Sequence, residues 1–277
     1  MSKRSLSEWL TRLEGLHPTE IDMGLARVRQ VAERLDVLKP APLVFTVTGT
    51  NGKGSTCAGL ESLLQAAGQA TGCYTSPHLL QYNERVRING EMVSDEALCR
   101  AFTVVDEARG DVSLTYFEFG TLAALWLFAA AELDAVVLEV GLGGRLDAVN
   151  VVDANIAVVT SIGLDHQEYL GDTLESVGFE KAGILRSGRP IVSGEQDLPE
   201  SFMRQVDALG CRLYQRGRDF GWHAQVGSEW DAFAGVGSQL VEYAGIPSVS
   251  LPRDNLSAAL QAFLLADLAL SEAKVKQ

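Results

Sequence analysis

Residues 43–57 constrain this chain more than any other stretch. Leu43-Val44-Phe45-Thr46-Val47 is a short apolar run that passes into Thr48-Gly49-Thr50-Asn51-Gly52-Lys53-Gly54-Ser55-Thr56, with an apolar helical pattern from Cys57 onward. A strand, a glycine-rich turn and a helix in this order predict an α/β unit built on a mostly parallel sheet. Backbone N–H groups at such a helix start have no internal partners, and the helix dipole adds positive potential, so the turn suits a polyphosphate. Lys53 would reach the β- and γ-phosphates, while Ser55 or Thr56 offers a hydroxyl near a magnesium ion. The common P-loop pattern is departed from twice: Val47 stands at its outer glycine, and Gly54 stands where Ser or Thr follows the lysine.

Composition narrows the class. With 277 residues, 47% of them apolar, the chain can bury a large α/β core. A net charge of −13 argues against nucleic acid as a partner, although local basic groups can still hold a small anion. Cys57, Cys73, Cys99 and Cys211 have no C-x-x-C spacing and read as reduced thiols of a cytoplasmic protein. The start at residues 1–6 carries charge without an apolar stretch behind it, so no signal peptide is expected. The apolar run at 122–131 is too short to span a bilayer and reads as a buried helix.

Two amphipathic helices lead the chain, marked by Leu6, Trp9, Leu10 and Leu13 and by Leu25, Val28, Ala32 and Leu35, with a polar loop between them. Residues 135–140 and 156–160 are β-rich runs without polar alternation, as in parallel strands covered on both faces. Asn89-Gly90 behind Arg85-Val86-Arg87-Ile88 signals a hairpin or loop. Glu139 interrupts the run Ala135-Val136-Val137-Leu138-Glu139-Val140, where an isolated carboxylate is costly and is usually paired or metal-bound. His166, after the next strand, could ligate a metal or cap the following segment. Ser76 offers a hydroxyl from a third strand end or is a plain turn serine. Lys181, between the N-cap Thr173 and the stop Gly183, reads from composition as a solvated helix lysine. The aromatics of Thr115-Tyr116-Phe117-Glu118 either stack a flat ring or form core. A doubly wound sheet gathers ligands at the carboxyl ends of its strands, where these residues fall.

Taken in order, Gly49-Thr50-Asn51-Gly52-Lys53-Gly54-Ser55, Ser76-Pro77-His78-Leu79, Thr115-Tyr116-Phe117-Glu118, the run from Glu139 to Ala148, Asp165-His166 and Glu180-Lys181-Ala182-Gly183-Ile184 resemble the folylpolyglutamate synthases of the Mur-ligase-like superfamily. The segment Glu20-Ile21-Asp22-Met23-Gly24-Leu25 resembles the bifunctional bacterial form, which is also a dihydrofolate synthase. The resemblance implies a fold like the Mur ligase central domain. It also implies that Gly49, Thr50, Asn51, Gly52, Lys53, Gly54 and Ser55 bind ATP, with Asn255 on the adenine side. Ser76 and Glu139 would hold one Mg2+; Glu139, His166 and Lys181 as a carbamate would hold a second. Glu20, Ile21, Asp22, Met23, Thr115, Tyr116, Phe117, Glu118, Leu146, Asp147 and Ala148 would contact the pterin. Lys53, Glu139, His166 and Lys181 form the expected catalytic set.

The implied reaction is ATP-dependent ligation of L-glutamate to dihydropteroate and to folates through an acyl phosphate, by a protein monomeric at full length. Cations such as Arg85, Arg87 and Arg145 must then outweigh the general negative field within roughly a Debye length of 8 Å. Residues 1–250 are expected to form an ATP- and pterin-binding domain. Residues 251–277 are expected to be a linker and first helix of a second domain that is mostly absent, leaving an incomplete catalyst. Another P-loop kinase or ATPase, or a non-catalytic nucleotide- or pterin-binding fragment, stands as the alternative.

Overall fold

A computed structural model of the chain describes residues 4–225, 229–237, 239–268 and 270–276. Most of the charged start, residues 1–3, lies outside that set. Helices α1 (Leu6–Glu14) and α2 (Ala26–Leu35) precede β1 (Leu43–Thr48), α3 (Lys53–Ala66), β2 (Thr71–Tyr74) and a 3-10 turn (Tyr82–Arg85). The hairpin β3 (Val86–Ile88) and β4 (Glu91–Met92) leads to α4 (Asp95–Arg109), α5 (Tyr116–Ala130) and β5 (Ala135–Glu139). A second 3-10 turn (Ala148–Val151) precedes β6 (Ile156–Val159), α6 (Gln167–Leu170), α7 (Leu174–Ala182), β7 (Pro190–Ser193), α8 (Glu200–Ala208) and β8 (Arg212–Gln215). The chain continues through β9 (Phe220–Ala224), β10 (Glu229–Val236), β11 (Gln239–Pro247), α9 (Arg253–Leu264) and α10 (Glu272–Val275).

The main sheet runs β4-β3-β2-β5-β1-β6-β7-β8, parallel from β2 to β8, with the β3–β4 hairpin antiparallel at one edge. Asn89 and Gly90 both have positive φ, 52° and 83°, as the hairpin reading of that pair requires. A smaller antiparallel sheet runs β11-β10-β9.

Side chains of the central strands alternate between two buried faces. On β5, Val136 and Leu138 join a core with Trp9, Val28, Phe102 and Phe119, whereas Ala135 and Val137 join Leu60, Leu64, Phe220 and Phe263 on the other side. The two-residue period therefore sends Glu139 to the same face as Ala135 and Val137, toward α3. That is why a carboxylate at the end of a buried strand meets the start of the phosphate-loop helix.

Helix α9 packs on α3 at close range. A Cβ on Gly59 would stand 3.0 Å from the Cβ of Ala259. The apolar pattern predicts this last helix over 256–270, but it starts at Arg253 and stops at Leu264. Leu264, Leu265, Ala266 and Leu268 still pack on the core, so apolarity there reports burial rather than helix. No helix among the described residues is long and apolar enough to cross a membrane. The four cysteines are free thiols, Cys57 and Cys73 fully buried.

Candidate active site at the carboxyl ends of the strands

The loop between β1 and α3 takes the conformation its glycines permit. Gly52, at the helix N-cap, has φ +85°, and a Cβ there would lie 2.6 Å from the amide of Asn255. A Cβ on Gly49 would meet Thr160 Oγ1 at 1.8 Å. Asn255, in the first turn of α9, thus sits directly against the loop. The Lys53 ammonium folds back on the loop, donating to the carbonyls of Gly49 at 2.9 Å and Thr50 at 3.3 Å. Thr56 is fully buried and its hydroxyl donates to Gly52 O at 3.0 Å, which leaves Ser55 as the more accessible hydroxyl.

Residues after β6 brace this loop, a role the sequence reading did not assign to them. Thr160 Oγ1 donates to Asn51 O at 2.6 Å, Asn51 N–H donates to Ser161 Oγ at 3.0 Å, and Thr50 and Gly163 exchange hydrogen bonds of 3.0 and 2.9 Å. On the other side, Thr48 Oγ1 donates to Gly143 O at 2.6 Å. Small hydroxyl residues beside glycines carry little pattern in a single sequence, so only their placement at strand ends could have suggested this role.

Glu139 pairs in register with Val47, the residue just before the loop begins. Its side chain is 4% exposed, and Ser76 N–H donates to Oε2 at 3.2 Å. Burial raises its pKa to about 7, partly offset by the Ser76 bond and by the charge of Lys53. Lys181, at the end of α7, is not a solvated lysine. It is 3% exposed and has no ion-pair or hydrogen-bond partner among the described residues; burial, then Lys53, lowers its pKa to about 8, against the attraction of Asp165. His166 is exposed at the head of α6, with φ +48° and Nε2 3.7 Å from Asp165 Oδ2. Among the described residues no three His, Cys, Asp or Glu side chains converge as a ready metal cluster.

A cleft of about 860 Å3 opens beside these groups. Its walls bring together Glu20, Ile21, Asp22 and Met23, Thr115, Tyr116, Phe117 and Glu118, and Leu146, Asp147 and Ala148, with Ser76, His78, Arg85 and His166 also lining it. Two of its carboxylates hold the walls in shape. Glu118 closes the capping box of α5, accepting from Thr115 N–H at 2.8 Å, and takes a bond from Arg27 at 3.1 Å. Arg27 also reaches Asp22 at 2.7 Å, tying the 16–24 loop to α5; sequence reasoning had passed over this residue. Asp147 accepts from Leu142 N–H at 2.8 Å and Val149 N–H at 3.0 Å, and burial lifts its pKa to about 6.

A parallel sheet with helices on both faces, a glycine loop gripping a helix start and an acidic neighbouring strand end define a phosphate-loop domain of the Mur ligase type. The Mur ligase middle domain matches residues 47–219, and the chain belongs to that family. Within it, the chain is similar to the dihydrofolate synthase/folylpolyglutamate synthase of Escherichia coli K12, 50% identical over 271 residues that cover 98% of this chain and 63% of the relative. The structure of E. coli FolC in complex with DHPP and ADP has a TM-score of 0.93 at 48% identity, over 99% of this chain and 65% of that one. A bifunctional folylpolyglutamate synthase/dihydrofolate synthase with Mn, AMPPNP and L-glutamate bound gives 0.89 at 48% identity, with 99% and 65% covered. The chain thus spans just under two thirds of the length of these relatives. The Mur-ligase-like fold and the resemblance to this enzyme group, both expected from the sequence, are borne out.

Proposed function

We propose that this chain carries the ATP and acid-substrate sites of a ligase that joins L-glutamate to dihydropteroate and to folates. The observation that carries the reading is the β1–β5 register, which sets Glu139 beside the phosphate loop and against Ser76 on the wall of a cleft of about 860 Å3. The names and bound ligands of the similar proteins favour it over a kinase, an unrelated ATPase or a mere binding fragment.

In this reading the γ-phosphoryl of ATP passes to the substrate carboxylate, giving an acyl phosphate and ADP. The amine of glutamate attacks the acyl carbon, phosphate leaves with its bonding electrons, and the amine gives up a proton. Phosphoryl transfer asks mainly for positioning and charge neutralisation. Lys53 supplies both when it swings from the loop carbonyls to the phosphates. The residues fit Mg2+: Glu139 is a dry oxygen donor, and Ser76 stands at the same strand edge. Mg2+ is commonly held by one or two carboxylates plus substrate phosphates and water rather than by an all-protein cage. Lys181, buried without an ion-pair or hydrogen-bond partner among the described residues, would become an anionic oxygen ligand as a carbamate, with His166 as the remaining candidate. Bound metal would neutralise charge on the phosphates. We place the enzyme in the cytoplasm, in keeping with its nucleotide substrate and free thiols.

The test is calorimetric titration of the chain with Mg-ADP and with dihydropteroate, followed by phosphate release from ATP with each substrate omitted in turn. Binding of both ligands, with any phosphate release dependent on the acid, is expected. ATP turnover indifferent to acid and glutamate, or failure of dihydropteroate to bind, would overturn the reading.

A further inference from the structure

An acid substrate entering this cleft meets a negative protein, and the cleft itself is lined by Glu14, Glu20, Asp22, Glu118 and Asp147. Most arginines near it are already committed to carboxylates. Arg27 is held by Asp22 and Glu118 at 2.7 and 3.1 Å, Arg87 by Glu61 at 2.7 Å, and Arg145 by Glu180 at 2.7 Å. Arg85 is the sole Arg or Lys lining the cleft, and among the described residues it has no carboxylate partner.

Arg85 is nevertheless fixed in place. Its carbonyl accepts from Thr75 N–H at 3.0 Å, which pins its backbone next to Ser76. Its guanidinium lies over the rings of Tyr82 and Tyr116, 5.4 and 5.8 Å from their centroids. Its Nε donates to His78 Nδ1 at 2.8 Å, a bond that needs an unprotonated imidazole nitrogen. Nε is therefore engaged, the guanidinium is flanked by two rings and the Tyr74 hydroxyl, and among the described residues its Nη groups have no carboxylate to receive them. A planar fork with a locked orientation is suited to bidentate recognition of a carboxylate.

We propose that Arg85 is the carboxylate anchor of the cleft, a specificity residue that selects substrates bearing an acid group over bare pterins. The proposal rests on the ligase reading above. The shared chemistry is a carboxylate, which can come from the benzoyl end of dihydropteroate or from the glutamyl tail of a folate.

The experiment measures binding to the chain of dihydropteroate, dihydrofolate, a carboxylate-free reduced pterin and ADP, for wild type, Arg85→Gln and Arg85→Lys. Arg85→Gln should weaken one or both acids by at least about tenfold, the size of a lost charged hydrogen bond, and leave the bare pterin and ADP unchanged. Arg85→Lys keeps the charge without the fork and should recover only part of the loss. Loss confined to dihydropteroate assigns the benzoyl carboxylate; loss confined to dihydrofolate assigns the tail. Equal weakening of the bare pterin would show a packing role through Tyr116, and unchanged acid binding would show no role; either overturns the proposal. A wild type that binds ADP but no pterin would overturn the ligase reading as well, so the two failures are told apart.

Discussion

Glu139 closes β5 close to Lys53 at the start of α3, and burial governs the charge of the carboxylate. A carboxylate with an ordinary pKa near 4.5 unfolded and about 7 folded binds more protons in the native state between those values. Its stabilising protonated form is fully available below pH 4.5 and is lost as pH rises through 7. In metal-free protein, wild type should lose roughly 2–3 kcal/mol more stability than Glu139→Gln between pH 5 and pH 8, measured by urea unfolding. Parallel pH profiles for the two proteins would show that Glu139 reaches water. Glutamine still accepts from Ser76 N–H, so shape is retained while charge is removed. Lys53→Ala should leave unfolding free energy within about 1 kcal/mol of wild type, because the ammonium contacts loop carbonyls rather than core. ATP-dependent turnover in an active protein should fall by at least about two decades. Similar turnover in a folded mutant would remove the loop from the chemistry. Glu139 was legible because a charge stood out in an apolar run. Lys181 was misread by composition, since nothing local distinguishes a lysine buried by its neighbours from one on a wet helix face.

Among the elements, α5 announced itself by its apolar run at 122–131, whereas the Thr115-x-x-Glu118 capping box that starts the helix at Tyr116 went unread. The second duty of Glu118, holding Arg27 and through it Asp22, depends on residues 91 positions apart and left no mark in the local pattern. Arg27→Ala should cost about 1–3 kcal/mol by leaving a buried carboxylate short of its partner. It should also open residues 16–24 to limited proteolysis; unchanged stability and an unchanged cleavage pattern would mean that the strut carries nothing. The β9–β11 sheet was not foreseen either. Its strands include Gly221, Gly235 and Gly245, which interrupt the alternation that identifies half-buried strands. Where α9 crosses α3, Gly59→Val places methyl groups against Ala259 and Leu256 and should destabilise by about 1–3 kcal/mol, read by urea midpoint.

For the whole molecule, ligand binding and folding are linked. If Mg-ADP binds the native loop and not the unfolded chain, a concentration near 100 times its dissociation constant should add about 2.7 kcal/mol of stability, seen as a concentration-dependent rise in Tm. Lys53→Ala should abolish that rise; its persistence would move the nucleotide elsewhere. The phosphate loop and Glu139 hang from β1 and β5 in the middle of the sheet, while the cleft walls come from residues 13–14, 17–24, 76–78, 85, 115–118, 141–142, 146–148 and 166 around it. This division makes the chain a good chassis for grafting. On the ligase reading, a wall segment exchanged for that of a relative with another acid preference would alter what is accepted without retuning how energy is delivered, so selectivity and power can be evolved on separate schedules.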